Sequence, residues 1–122
     1  MGMIRHAQKQ ALLSQFRRAR VGAVVAKGDR ILASGHNAIR NFALVKRPYP
    51  ESTHAEVAAI GQLLKARRLH DLTGATLYVC RVGRLGESRL SRPCCNCESL
   101  ARAVGIKRVI FTTDGGTDGY AL

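Results

Sequence analysis

The chain has 122 residues and carries 20 Lys plus Arg against 8 Asp plus Glu, a formal net charge of +12. Hydrophobic residues make up 46%, which excludes a basic disordered tail, because such tails lack the apolar content to fold. No run of ~18 apolar residues exists to cross a membrane, and polar residues interrupt Met1-Gly2-Met3-Ile4-Arg5-His6 too early for a signal-peptide core. One cytoplasmic domain over residues 1–122 is expected, with no membrane partner. The charge points to anions: nucleotides, nucleic acid or phospholipid head groups.

Residues 4–17 read as a first helix, with Ile4, Ala7, Ala11, Leu12 and Phe16 near helical spacing. A strand follows over 20–26, then a turn at Lys27-Gly28-Asp29 and a returning strand over 30–35, together a hairpin. Residues 36–52 read as a loop. The spacing of Val57, Ile60, Leu63 and Leu64 predicts a helix over about 54–69. A third strand is expected over 75–82, a Gly- and Arg-rich connection over 83–92, a helix over 93–104 and a strand over 107–113. The tail 114–122 is Gly-rich and expected to be loose. The order α-β-β-α-β-α-β describes an α/β sheet with helices packed on it.

Two segments carry chemistry: Thr53-His54-Ala55-Glu56 and Pro93-Cys94-Cys95-Asn96-Cys97. Each is placed at the start of a helix. Three of the four cysteines fall within residues 94–97, where adjacent thiols make poor disulfide partners, so metal ligation is the better reading. Cys94 and Cys97 are three apart and share one helix face. Pro93 suits a first helical position, and the helix N-terminus stabilises thiolates. Two thiolates plus the His54 imidazole make a three-ligand zinc set with a fourth position for water, the layout of a catalytic site. Glu56 can then exchange protons with that water and a leaving group. Competing readings exist for each half. Thr53-x-x-Glu56 is also a capping box, and an isolated C-x-x-C serves as a redox pair or half a zinc ribbon. The two motifs together, H-x-E and then P-C-x-x-C, favour the zinc site.

This pair of motifs resembles the signature of the zinc-dependent cytidine/deoxycytidylate deaminase superfamily. The resemblance runs from about residue 3 to residue 113. It implies a three-layer α-β-α sandwich around a mixed central sheet, shortened at the C-terminus. It implies Zn2+ held by His54, Cys94 and Cys97, with Glu56 as the proton shuttle for hydrolytic deamination at C4 of cytosine or C6 of adenine. Val21-Gly22-Ala23-Val24-Val25 with Ser34-Gly35-His36-Asn37 resembles the family's first hairpin, which assigns Asn37 to the sugar; a loop Asn bonding its own backbone is the alternative. The backbone N–H of Ala55 is assigned to the base. Tyr49-Pro50-Glu51-Ser52-Thr53-His54-Ala55-Glu56 and Gly105-Ile106-Lys107-Arg108-Val109-Ile110-Phe111 look most like the deoxycytidylate branch.

The chain departs from the family pattern in three places. Only nine residues follow the last strand, so an exposed sheet edge is expected to be covered by the tail or by a partner chain. The connection 81–92 is long and carries Arg81, Arg84, Arg89 and Arg92. The loop 38–52 lacks the extra metal ligands and long insertion of regulated deoxycytidylate enzymes. Cys95 reads as a bystander, Cys80 as core, and His6 and His70 as surface; His36 either lines the pocket or is exposed. The basic clusters 17–20 and 65–68 are expected to complement helix C-termini. The expected substrate is a free cytosine nucleotide of the dCMP or CMP type, its phosphate held by Arg92 and its neighbours, in a homo-oligomer. The alternative is a deaminase of single-stranded DNA or tRNA, which the charge favours and the scarcity of aromatics, at 5%, disfavours.

Overall fold

The computed structural model describes residues 2–16, 19–39 and 52–122. The elements in chain order are α1 (Met3–Ala11), β1 (Arg20–Lys27), β2 (Arg30–His36), β3 (Ala38–Ile39), β4 (Ser52–Thr53), α2 (Ala55–Lys65), α3 (Leu69–Leu72), β5 (Thr76–Val82), β6 (Ser88–Arg89), α4 (Cys95–Ala103), β7 (Arg108–Thr112) and β8 (Thr117–Ala121). The main sheet runs β2-β1-β5-β7-β8, and β6 also pairs with β5. Only β5 and β7 are parallel; the other pairs are antiparallel. The sheet is therefore mixed, as expected. The parallel step is spanned by α4, the crossover such a pair requires.

Strand alternation sorts the core into two layers. Ala23, Val25, Leu77 and Val79 face Ala59, Ile60 and Leu63 of α2 and Ala101 of α4. Val24, Ala26, Cys80 and Val82 face Ala7 and Ala11 of α1. The period of two in the strands thus feeds both faces, and the helices make the outer layers of an α-β-α sandwich. Two glycines set how closely those layers approach. A Cβ on Gly22 would collide with the Ala7 carbonyl oxygen and the Ala11 nitrogen. A Cβ on Gly35 would come within 2.9 Å of the Ala59 nitrogen and the Ala58 Cβ. One glycine seats α1 and the other seats α2, on opposite faces.

Several expected boundaries shift. The first helix ends at Ala11, not 17, and Leu12 and Leu13 are exposed. The basic cluster at 17–20 therefore has no helix end to complement; Arg20 opens β1, and Arg17 and Arg18 lie outside the described residues. Most of the 36–52 loop lies outside them too, but its two ends pair as β3 and β4. The second helix stops at Lys65, because Arg67 takes a left-handed φ of 56° and starts the turn into α3. Val57 and Leu64 are on its exposed side; Ala55, Glu56, Ala59, Ile60 and Leu63 are buried.

The connection 83–92 contains the second strand of a tight hairpin. Gly86, at φ 82°, closes a turn in which its N–H bonds the Gly83 carbonyl at 3.1 Å. The tail is not loose: Thr117–Ala121 adds an antiparallel strand to β7, so the chain covers its own sheet edge. A weakly apolar strand such as Thr-Asp-Gly-Tyr-Ala gives little periodic signal. It is held by main-chain pairing, which sequence patterning does not report.

Candidate functional site

The site is built where two helices begin. His54 and Cys94 are the N-cap residues of α2 and α4, both extended, with φ, ψ of −67°, 148° and −68°, 166°. An N-cap side chain ordinarily bonds its own helix. Neither of these does, and both side chains point to a common centre. Pro93 consequently precedes the cap instead of opening the helix. Thr53 lies one residue before the cap, and Glu56 falls at the second helical position, so the capping-box register is missed by one.

His54 Nδ1 lies 3.2 Å from Cys97 Sγ and 3.8 Å from Cys94 Sγ. All three donor atoms lie within 4.8 Å of one another. Ligands of one tetrahedral zinc, at Zn–N about 2.0 Å and Zn–S about 2.3 Å, stand about 3.5–3.8 Å apart. The three atoms thus span the distances that zinc sets. Cys95, the next residue, is exposed and outside this group.

The electrostatics also call for a cation. Burial pushes the Cys97 thiol well above its usual range, and the Glu56 carboxylate and the Cys94 thiol add to the effect. Glu56 is only 5% exposed, and among the described residues no Lys, Arg or His forms an ion pair with it. A buried carboxylate beside two thiols is costly unless positive charge is supplied. A divalent ion would relieve that cost and deprotonate the thiols. The residues fit zinc.

A cavity of about 280 Å³ opens over this centre, near the lower end of the ~300–1,000 Å³ of small-molecule sites. His54, Ala55, Glu56 and Cys94 form one part of its wall; Asn37, Arg81, Ser91 and Arg92 contribute elsewhere. Of the residues assigned to zinc, proton transfer and substrate, all but the buried Cys97 line it; Arg84 and Arg89 of the Arg-rich connection do not. His36 is not among its described lining residues. His6 and His70 are exposed, and Cys80 is buried in the α1-side core.

Asn37 is fixed. Its Oδ1 accepts the Val21 N–H at 3.0 Å, and its Nδ2 donates to the Ala19 carbonyl at 2.7 Å. The amide thus bonds the start of β1 and not its own backbone, with a second N–H to spare. Arg92 is held by aromatics: its guanidinium lies 4.5 Å over the Tyr120 ring and 5.9 Å from the Phe111 centroid. Burial and the neighbouring Glu98 carboxylate push the Tyr120 hydroxyl up to about 12.

Sequence reading missed Tyr120, which lay in the supposed loose tail. It also missed a buried Ser91–Thr112 pair. Ser91 Oγ donates to the Val79 carbonyl at 2.8 Å and accepts the Thr112 N–H at 2.9 Å. Thr112 Oγ1 donates to the Arg89 carbonyl at 2.7 Å. These bonds pin the segment leading into Pro93-Cys94. Nothing in the local sequence marks them, because a strand-end Thr and a loop Ser are ordinary residues.

Residues 1–113 match the model of the cytidine and deoxycytidylate deaminase zinc-binding region. The chain belongs to this deaminase family. A deoxycytidylate deaminase of Mycobacterium phage D29 is 32% identical, covering 86% of this chain and 87% of the phage protein. Among solved structures, the dCMP deaminase of cyanophage S-TIM5 in complex with dCMP and dUMP aligns with a TM-score of 0.65 at 23% identity, over 88% of this chain and 76% of that one. Cytidine deaminase from Burkholderia pseudomallei aligns with a TM-score of 0.70 at 18% identity, over 99% and 93%. At these identities the two structures establish the fold, which is the sandwich expected from the sequence. As a member of this family the deaminase is a zinc-binding hydrolytic enzyme. Among its described residues, no helix is long and apolar enough to cross a membrane.

Proposed function

We propose that this deaminase converts a cytosine nucleotide of the dCMP or CMP type to the uracil nucleotide, within a single catalytic domain over residues 1–122. The observation that carries the reading is the grouping of His54, Cys94 and Cys97 beside buried Glu56, in a cavity walled by arginines. The phage relative's name supports the deoxycytidylate branch.

His54, Cys94 and Cys97 hold the zinc, which when bound supplies Lewis-acid activation of water near neutral pH. Glu56 takes a proton from the attacking water and gives it first to N3 of the base. It then delivers the second proton to the departing N4. A C4–O bond forms, the C4–N4 bond breaks, and ammonia leaves. The low exposure of Glu56 keeps bulk water from competing for these protons. The first N–H groups of α2, Ala55 included, lack intrahelical acceptors and hold the base carbonyl in this reading. Asn37 gives its free N–H to the sugar, and Arg92 flanks the phosphate end. The four cysteines are unpaired, which suits a reducing, cytoplasmic compartment. Exposed Leu12, Leu13 and Leu90 suit burial in a homo-oligomer.

Ammonia release across dCMP, CMP, deoxycytidine, cytidine, a cytosine-containing oligonucleotide and tRNA tests the substrate. Turnover is expected on the nucleotides. Turnover confined to the polynucleotides would overturn the reading in favour of a strand-directed deaminase. Light scattering of the purified protein tests the oligomer, and a monomer at micromolar concentration would remove it.

A further inference from the structure

The hairpin at 81–89 carries a feature that the reaction chemistry does not use. Arg81 on β5 and Arg89 on β6 are direct cross-strand partners. Opposed residues of an antiparallel pair point to the same sheet face, and like charges so placed repel. Among the described residues, the Arg81 guanidinium has neither a hydrogen bond nor an ion pair, and its Nε is buried without a partner. Arg89 has a weak one, with Nε 3.6 Å from Glu87 Oε1. Two cations opposed on one sheet face, one of them uncompensated, are an arrangement that an anion stabilises.

The pair stands at a junction. Arg81 and Leu90 line the cavity over the cysteines, and both also line a wider groove of about 730 Å³ that holds Arg84 and Arg89. Its acids are Glu87 and Asp114, and the Glu87 carboxylate is already engaged by the Leu85 N–H at 3.0 Å and by Arg89. Thr112 Oγ1 fixes both arginines through their backbones, accepting the Arg81 N–H at 3.1 Å and donating to the Arg89 carbonyl at 2.7 Å. Arg20 clips the turn by donating to the Gly83 carbonyl at 2.7 Å. The backbone that carries both arginines is therefore fixed before any ligand arrives. Arg92, by contrast, is stacked on Tyr120, which commits its planar face.

We infer that Arg81 and Arg89 form the subsite for the phosphate monoester of the substrate, making the β5–β6 hairpin the element that selects nucleotide over nucleoside. The inference rests on the cytosine-nucleotide reading and assigns its phosphate to particular residues. Guanidinium forks match phosphate oxygens bidentately, so the Arg81 fork, free of protein partners, is the principal contact.

The test compares kcat/KM for dCMP and for deoxycytidine in zinc-loaded wild type, Arg81→Ala, Arg89→Ala and Arg92→Ala. It also measures the affinity of the product dUMP against that of deoxyuridine by calorimetry. Loss of a hydrogen-bonded charge costs on the order of 10–100-fold. The dCMP-to-deoxycytidine ratio should fall by that factor in Arg81→Ala and by a smaller one in Arg89→Ala. The dUMP preference should fall in parallel, and Arg81→Lys should restore part of it. Should Arg81→Ala fail to fold by circular dichroism, Arg81→Gln and Arg89→Ala carry the test. A wild-type preference for dCMP that survives both hairpin variants, or that is lost only in Arg92→Ala, overturns the inference and leaves the substrate reading standing. A wild type with no preference for dCMP overturns both.

Discussion

At the scale of single residues, the site depends on two N-cap positions being given up. His54 and Cys94 stand where a Ser or Asp would bond the helix, and neither does so. That costs each helix roughly 0.5–2 kcal/mol relative to a good cap, which metal binding offsets. Replacing His54 by Asp should therefore give a more stable apo protein that no longer holds stoichiometric zinc; thermal unfolding and elemental analysis would show both. In the proposed reaction Glu56 moves protons without holding the metal, so its replacement separates the two. Glu56→Gln preserves shape and removes the proton carrier, so zinc should remain at about one per chain while kcat falls by roughly 10²–10⁴. An active Glu56→Gln enzyme would return the residue to a purely structural role. The residue types at 54, 56, 94 and 97 were legible in sequence, because this chemistry admits few substitutes. The missed capping register was not legible, because a one-residue shift in helix start leaves the motif unchanged.

At the scale of elements, close packing and helix ends make different demands on backbone. Gly35 lets α2 rest against β2, and a Cβ there meets helix backbone that cannot move aside. Gly35→Val should destabilise by at least the ~1–3 kcal/mol of an overpacked core and shift the helix that carries His54, so zinc affinity should drop with melting temperature. Helices α2 and α4 end in the same way. Arg68 N–H bonds the Leu63 carbonyl and Arg67 N–H that of Leu64, while Ile106 and Gly105 do the same to Ala101 and Arg102. The left-handed position is Gly105 in one and Arg67 in the other. A non-glycine there costs roughly 1–2 kcal/mol, so Arg67→Gly should raise the denaturation midpoint at no loss of activity. The helix expected over 93–104 stops just short of Gly105. The one expected over about 54–69 runs on past Arg67, since Arg is a good helix former. Strand β8 was hidden too: it supplies Tyr120 under Arg92, although its own residues are mostly exposed.

At the scale of the molecule, the +12 charge divides into parts. Arg81, Arg89 and Arg92 gather beside the site, while Arg68 pairs with Asp71 at 2.6 Å and holds that carboxyl below its usual range. Long-range attraction of a phosphorylated substrate should weaken as salt rises, because the screening length falls from about 10 Å at 0.1 M to about 3 Å at 1 M. KM for dCMP should therefore climb with ionic strength while that for deoxycytidine stays nearly level. Zinc held by His54, Cys94 and Cys97 would link the starts of α2 and α4 on one face of the sheet. Its removal by a chelator should abolish turnover and lower the melting temperature, since a ligand at 1,000 times its Kd adds about 4 kcal/mol. A melting temperature indifferent to chelation would place the metal outside the fold's stability.

By itself the sequence determined the family chemistry, the sandwich and the first hairpin. Each is written in local terms: motif spacing, strand alternation, and a Gly-Asp turn between two apolar runs. Only the tertiary structure decided how the charge is used. Arg81 and Arg89 are eight positions apart, and they become neighbours through hairpin register. Thr112 and Tyr120 reach the site through main-chain pairing at the far edge of the sheet. Register and edge pairing depend on hydrogen bonds between distant segments, and side-chain pattern along one segment does not encode them.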